Sequence, residues 1–353
     1  MKTINVGVVG ATGVVGETFL NLIEQRNFPV GELRLFASEN SQGQSRKCKG
    51  KDWQIQTLTK NQGNCFAGLD LVFFSSGDDI SLEWAPIAMS AGAIAVDNSG
   101  AFRTNNDFAL VVPEVNGDLL AKSAGGQTDR RGTIIANPNC STIQLVVALS
   151  PLAKTFGLKS VRVASYQSVS GAGRDGIEEL LTSTHRAIEG DDITTSRTFP
   201  APIAFNCIPQ IGRIEDNAAS PAFGFCTEET KIMNETCKIL RLPSLPVSAF
   251  TVRVPTLNSH AEAVWVTLEK NVQLKDVEAC LAAAPGIHLT AKNEGPGYPT
   301  QKDVSGEDPV YIGRLHRDQH DPNTWLMWVV SDNLRKGAAL NGIQIAEHIF
   351  DLK

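Results

Sequence analysis

INVGVVGATGVVG, residues 4–16, decides the fold. A β-branched run, Ile4–Val9, leads into Gly7, Gly10, Gly13 and Gly16, and a helical pattern over Val14–Glu24 follows. A strand that enters a glycine-rich turn and then a helix is the first βα unit of a dinucleotide fold. Glycine lets the backbone approach a pyrophosphate, and the helix N-terminus offers unpaired N–H groups and a favourable dipole. The same glycines also suit a tight turn that only packs a helix on a strand, and position at the first βα turn favours the binding reading.

Outward from this turn, short apolar runs alternate with helical patterns. Strands are expected at Glu32–Ala37, Asp70–Ser75, Ala93–Asp97, Ala109–Val112 and Thr133–Ala136, with a helix at Ile80–Ser90. Continuous apolar strands imply a parallel sheet covered on both faces, hence an α/β, Rossmann-type doubly wound domain. The second half has longer, partly alternating strands at Ser160–Ser168, Val247–Val254, Glu262–Glu269, Val310–Arg314 and Trp325–Val330. Helical patterns there cover Gly173–Glu189, Thr227–Arg241 and Val272–Ala284, and a last one spans Gly337–Leu352. Strands with few crossover helices predict an α+β domain on a mixed sheet.

Length fits two domains: 353 residues, 42% of them hydrophobic. The net charge of −6 argues against a nucleic-acid surface, which needs clustered Lys and Arg. Apolar runs such as 145–149 and 325–330 fall short of the ~18 residues of a spanning helix, so no membrane segment is expected. The regularly placed glycines after Lys2, with no small-residue cleavage site following, suggest a strand and turn instead of an export signal. Seven widely spaced cysteines without a CxxC pair indicate neither a disulfide framework nor a metal site. Reduced thiols in the cytoplasm are the simpler expectation.

Among those cysteines, position selects Cys140. In IIANPNCSTIQLVVAL a strand ends at Ala136, Pro138 stops it, and a helix begins around Cys140. A thiol at a helix N-terminus feels the positive end of the dipole, which enriches the thiolate. Asn139 can donate its amide to an oxygen developing charge beside the sulfur. A buried inert cysteine is the plain alternative. His260, ahead of the strand AEAVWVTLE, is a candidate proton carrier, although a lone histidine is more often structural. Arg253 lies in the apolar strand FTVRVP, where a guanidinium needs an anion, either a structural carboxylate or a substrate carboxylate. Where a dinucleotide fold reads the adenine ribose stands Ser38-Glu39-Asn40-Ser41, which leaves the choice of nucleotide open.

GATGVVG, DNSGAFR (97–103), VVPEVN (111–116), NPNCST (137–142), QSVSGAG (167–173), EETK (228–231), RVPTLNSHAE (253–262) and DNLRKGAALN (332–341) follow one another in order. Together they resemble the aspartate-β-semialdehyde dehydrogenase family, from about residue 4 to the C-terminus. The resemblance implies NADP-dependent reductive dephosphorylation of L-4-aspartyl phosphate to L-aspartate 4-semialdehyde, in lysine, methionine and threonine biosynthesis. By the family's pattern Cys140 is the nucleophile that carries a thioester and His260 the general acid/base. Gln167 positions the acyl group, Arg253 clamps the substrate's α-carboxylate, and Glu228 meets the α-amino group. Arg103, Asn139 and Lys231 hold the phosphate. Gly10, Thr12, Gly13, Val14, Val15, Asn40, Ser41, Ser170, Gly171 and Asn333 match the cofactor positions. The family implies a homodimer or homotetramer, with a dinucleotide-binding domain over residues 1–139 and 332–353 and a catalytic and dimerisation domain over 140–331.

Three departures stand out. Family members often carry an arginine where this chain has Glu39-Asn40, and a second serine where it has Gly100. A polar segment, Ser123–Arg131, looks like a surface insertion. Two rival functions are N-acetyl-γ-glutamyl-phosphate reductase, which shares the thioester chemistry, and a catalytically silent dinucleotide-binding paralogue. Joint presence of Cys140, Arg253 and His260 argues against the silent protein.

Overall fold

The computed structural model describes residues 3–59, 64–123 and 132–352. The chain divides into two compact units, Met1–Asn139 with Ala338–Lys353, and Cys140–Gly337. Residues 332–337, expected in the nucleotide domain, lie in the second of these units. There Asp332 accepts hydrogen bonds from the N–H groups of Gly306, Leu334 and Arg335 and from Asn258 Nδ2. Of the polar segment Ser123–Arg131, residues 124–131 lie outside the described residues.

In the first unit the strands are β1 (Ile4–Val9), β2 (Val30–Ala37), β3 (Ser45–Cys48), β4 (Lys51–Thr57), β5 (Leu71–Phe74), β6 (Ile94–Asp97), β7 (Ala109–Leu110) and β8 (Thr133–Ala136). They form one sheet in the order β3-β4-β2-β1-β5-β6-β8-β7. All pairs are parallel except the β3–β4 hairpin. β5 and β6 are buried at every residue, as strands covered on both faces must be. The chain leaves β1 in one direction to β2 and returns on its other side to β5, so the strand order reverses beside the glycine turn. The hairpin escapes a reading by apolar runs because SRKC and KDWQIQT carry their charges on an edge. Only Cys48 and Ile55 within it are buried.

Helix α1 (Val14–Gln25) packs its apolar side on this sheet, with Phe19 stacked on Phe73 at 4.1 Å between centroids. Burying an aromatic side chain of that size contributes about 1.5–3 kcal/mol. The C-terminal helix, Leu340–Ile349, joins the same core through Leu340, Ile343, Ala346 and Ile349. Arg26 grips Glu347 through two hydrogen bonds of 2.7 and 2.8 Å. Asn341 donates to Val111 O and Asn137 Oδ1, and Asn137 donates to Ala338 O at 3.1 Å. The polar atoms that this helix buries are thereby satisfied.

The second unit starts with α3 (Cys140–Phe156), after α2 (Asp78–Ser90) of the first. Its sheet is mixed: β9 (Leu158–Gln167), β10 (Val247–Arg253), β11 (His260–Leu268), β12 (Ile287–Leu289), β13 (Val310–Arg317) and β14 (Thr324–Ser331), ordered β10-β9-β11-β14-β13-β12. The β9–β10 and β12–β13 pairs are parallel, the others antiparallel. Helix α3 packs on one face and is buried from Ser141 to Ser150. The register lays that face out in rows. Ala249, Val163, Val264 and Met327 form one apolar row, with Val247, Val161, Val266 and Trp325 beyond it. Towards the other end the rows turn polar: Thr251, Ser165, Glu262 and Val329, then Arg253, Gln167, His260 and Ser331. Apolar rows hold the helix on the sheet, and the polar end gathers Arg253, Gln167 and His260 in one row. The two ends of this unit lie together, since a Cβ added at Gly337 would stand 3.0 Å from that of Cys140. Among the described residues no helix is long and apolar enough to cross a membrane.

Candidate active site

In the second unit Cys140 is the first residue of α3, so its sulfur sits where the helix dipole favours an anion. Arg253 ends β10 and is only 6% exposed. Burial pulls its pKa down, while the negative charges of Glu228 and of a Cys140 thiolate act against that. The guanidinium is anchored by an Nη1 hydrogen bond of 2.6 Å to the Ser168 carbonyl. Its neighbour in register, Gln167, donates from Nε2 to Ser165 Oγ and to Glu228 Oε1, both at 3.3 Å. Glu228 lies in the first turn of the helix Thr227–Leu240, and Lys231 Nζ stands 4.0 Å from its Oε2.

His260 completes the row and is fully buried. The Ser168 N–H donates to its Nδ1 at 3.2 Å, which assigns the proton of the neutral ring to Nε2. No protein group pairs with Nε2 among the described residues. Burial, reinforced by the Arg253 cation, pushes the imidazole down to about 3, so the ring is neutral over the physiological range. Ser259, just before it, holds φ at 67° without being glycine, a strained turn-in of a kind found at functional sites. Gly171 lies against both groups: a Cβ there would meet Arg253 Nη1 at 2.9 Å and the His260 ring at 3.3 Å. Ser170 and Asn333 are joined by a hydrogen bond of 3.0 Å from Asn333 Nδ2.

The remaining predicted residues belong to the first unit, with the Asn139–Cys140 bond as the boundary. Gly10 holds φ at 85°, and a Cβ on it would press on Ser75 O at 2.8 Å. Gly13 caps α1 with no side-chain hydrogen bond, followed by Val14 and Val15 in the first turn. Thr12 Oγ1 is 3.4 Å from Ser41 Oγ, and Glu39, Asn40 and Ser41 form a single 3₁₀ turn. Glu39 is exposed, so its charge is screened by solvent. Arg103 is buried and donates to the carbonyls of Asn137 and Asn98. Asn139 is buried too. Glycine at position 100 has a local reason: its N–H bonds Asp78 Oδ1 at 2.7 Å, and a Cβ would stand 3.2 Å from Asp78 Oδ2. All seven cysteines are free, and burial together with the Glu24 charge pushes the Cys48 thiol up to about 11.

Two family models match the chain: a semialdehyde dehydrogenase NAD-binding domain over residues 5–123, and a semialdehyde dehydrogenase dimerisation domain over residues 149–336. An aspartate-semialdehyde dehydrogenase of Aquifex aeolicus is 42% identical over 342 residues, covering 97% of this chain and 96% of the relative. The chain belongs to the aspartate-semialdehyde dehydrogenase family. Among solved structures, aspartate-semialdehyde dehydrogenase II of Vibrio cholerae complexed with ASA superposes with a TM-score of 0.91 at 41% identity, covering 99% of each chain. An aspartate-semialdehyde dehydrogenase of Candida albicans with NADP gives 0.74 at 25% identity, again covering 99% of each chain.

For an aspartate-semialdehyde dehydrogenase, sequence reasoning passed over one residue that the geometry makes central. Ser168 donates its N–H to His260 and accepts Arg253 on its carbonyl, and its hydroxyl lies 3.1–3.2 Å from Ser170 Oγ and Asn333 Oδ1. Its place between Gln167 and Ser170 was the available signal. Its backbone role could not be read from a side chain.

Proposed function

We propose that this chain catalyses the NADP-dependent interconversion of L-4-aspartyl phosphate and L-aspartate 4-semialdehyde through a thioester on Cys140, with release of phosphate in the reductive direction. The observation that carries the reading is a cysteine heading α3 against a buried row of Arg253, Gln167 and His260. The sulfur attacks the acyl carbon, and the C–O bond to phosphate breaks. Arg253 offers a two-pronged contact to the α-carboxylate and Glu228 an acceptor for the α-amino group. Gln167 holds the acyl group by its amide, and His260 meets the carbonyl oxygen with its Nε2 proton. Arg103, Asn139 and Lys231 are assigned to the phosphate.

The first unit is read as the nucleotide-binding domain and the second as the catalytic and dimerisation domain. The left-handed Gly10 turn and the N-terminus of α1, bare of a side-chain cap, fit a pyrophosphate. Gly10, Thr12, Gly13, Val14, Val15, Asn40, Ser41, Ser170, Gly171 and Asn333 are assigned to the dinucleotide. Exposure of Glu39 and the nearby serine hydroxyls leave room for a 2′-phosphate, in keeping with the NADP named for the Candida relative. When bound, NADPH would supply the hydride to the acyl carbon in the reductive direction, and NADP would take it in the reverse. We assign a homodimer built on the outward face of the second sheet, able to pair further into a tetramer, and a cytoplasmic setting that keeps Cys140 reduced.

A steady-state assay with aspartate semialdehyde, phosphate and either NADP or NAD tests the reading. Turnover is expected with NADP, and Cys140→Ala should abolish it while NADPH still binds, measured by fluorescence titration. Appreciable residual turnover of Cys140→Ala would sink the thioester route. Activity on N-acetylglutamate semialdehyde alone would reassign the substrate.

A further inference from the structure

One pleat below the catalytic row, on the same face of β11 as His260, stands a carboxyl group the reaction above does not use. Glu262 is fully buried, and neither carboxyl oxygen has a hydrogen-bond partner among the described residues. Its neighbours in register are Ser165 and Val329, neither charged. Helix α3 brings the fully buried Gln144 to it, one turn after Cys140, and the Gln144 amide acts on the carboxyl group in favour of its ionised form. The helix therefore sets its nucleophile at the row of Arg253 and His260, and an amide at the row of Glu262.

The buried charged and titratable groups on the surrounding elements are Arg253 on β10, His260 on β11, Glu228, Glu229 and Glu235 on the helix Thr227–Leu240, and Asp332 and Lys336 after β14, with the half-buried Cys140 heading α3. None of them acts on Glu262, whose surroundings reduce to burial and Gln144. Arg253 is engaged with Glu228 and Cys140. Glu229 is engaged with the N–H groups of Cys226 and Thr251. An ionised carboxylate with no cation and only the Gln144 amide beside it is strongly disfavoured in such a place, so the group is the neutral acid. Burial accordingly lifts its pKa to about 8.

We propose that Glu262 is a positioning residue held as the neutral acid beneath Cys140 and His260, and that loss of its proton shuts down catalysis on the alkaline side. The inference rests on the thioester reading above. The event is a simple ionisation in which the carboxyl proton leaves to solvent. It places a fixed anion under a site that must hold a thiolate and an anionic substrate, and both are disfavoured by it. His260 cannot supply the same limb, because its ring is already neutral and has no proton to lose in that range.

The test compares kcat/KM across pH for the enzyme, Glu262→Gln and Glu262→Asp. The unsubstituted enzyme should fall about tenfold per unit above about pH 8, Glu262→Asp should keep a break, and Glu262→Gln should stay within about twofold between pH 7.5 and 9.5. An unchanged alkaline limb in Glu262→Gln overturns the proposal. Infrared spectra of the unsubstituted protein with 13C-labelled glutamate need no substrate and no folded variant. A protonated glutamate band at pH 7 that disappears around pH 8 supports the assignment, whatever the substrate proves to be. Absence of that band at pH 7 overturns it.

Discussion

Arg253 shows how one side chain can be fixed from behind. Its Nη1 is bound to the Ser168 carbonyl, and the Phe199 ring lies 5.9 Å from its guanidinium carbon. A lysine would keep the charge and lose the planar fork that serves both a carbonyl anchor and a carboxylate. Arg253→Lys is therefore expected to lower kcat/KM by about 100-fold or more, through loss of a two-pronged charge-assisted contact that an ammonium cannot reproduce. Steady-state kinetics with aspartate semialdehyde measure this, and an unchanged efficiency would make Arg253 a structural residue. From sequence, its anion is either a structural or a substrate carboxylate. Burial beside Glu228 shows that a protein carboxylate is already at hand.

At the scale of elements, the segment 168–173 and the strands β9, β10 and β11 bring Gln167, Arg253 and His260 together. Gly171 occupies the narrowest place, and a methyl group there would push on the Arg253 guanidinium and the His260 ring together. Gly171→Ala should lower kcat by about tenfold while Tm moves by only a few degrees, because the strain falls on the site rather than on the core. Calorimetry and initial rates on the same preparation separate the two effects. A normal kcat would show that the loop yields without cost. Strand β1, its glycine turn and α1 were legible because their signal is local: β-branched run, glycines, helical period. The start of α3 at Cys140 was legible from Pro138 for the same reason. The hairpin β3–β4 was not, since its residues are polar and only Cys48 and Ile55 turn inward. Nor could the polar rows be seen, because they depend on the register of strands far apart in the chain. Glu262 carries no local signal in SHAE; strand pairing places it one row from His260 on the same face of β11.

On the scale of the whole molecule, the average charge of −6 conceals cations buried at Arg103, Arg253 and Lys336. The second sheet also presents a partly exposed face, covered at one end by the short helix Gln301–Val304, whose Val304 packs with Ala261, Val330 and Trp328. Phe250 is 56% exposed and lies in a row with Ala164, Ala263 and Trp328, beside a concave surface lined by Trp265, Leu326 and Tyr298. An apolar face of this extent suits a partner, and the assigned homodimer places a second copy there. Phe250→Glu should leave the fold intact and halve the mass by sedimentation equilibrium, whereas an unchanged dimer mass would reject this face. Finally, Cys140 and Gly337 stand side by side, and Asn137 is bonded to Ala338 across the matching gap in the first unit. Residues 140–337 thus have the form of a cassette: they could be exchanged between hosts of one ancestral lineage without opening either fold, and the nucleophile would travel as the first letter of the transplanted segment.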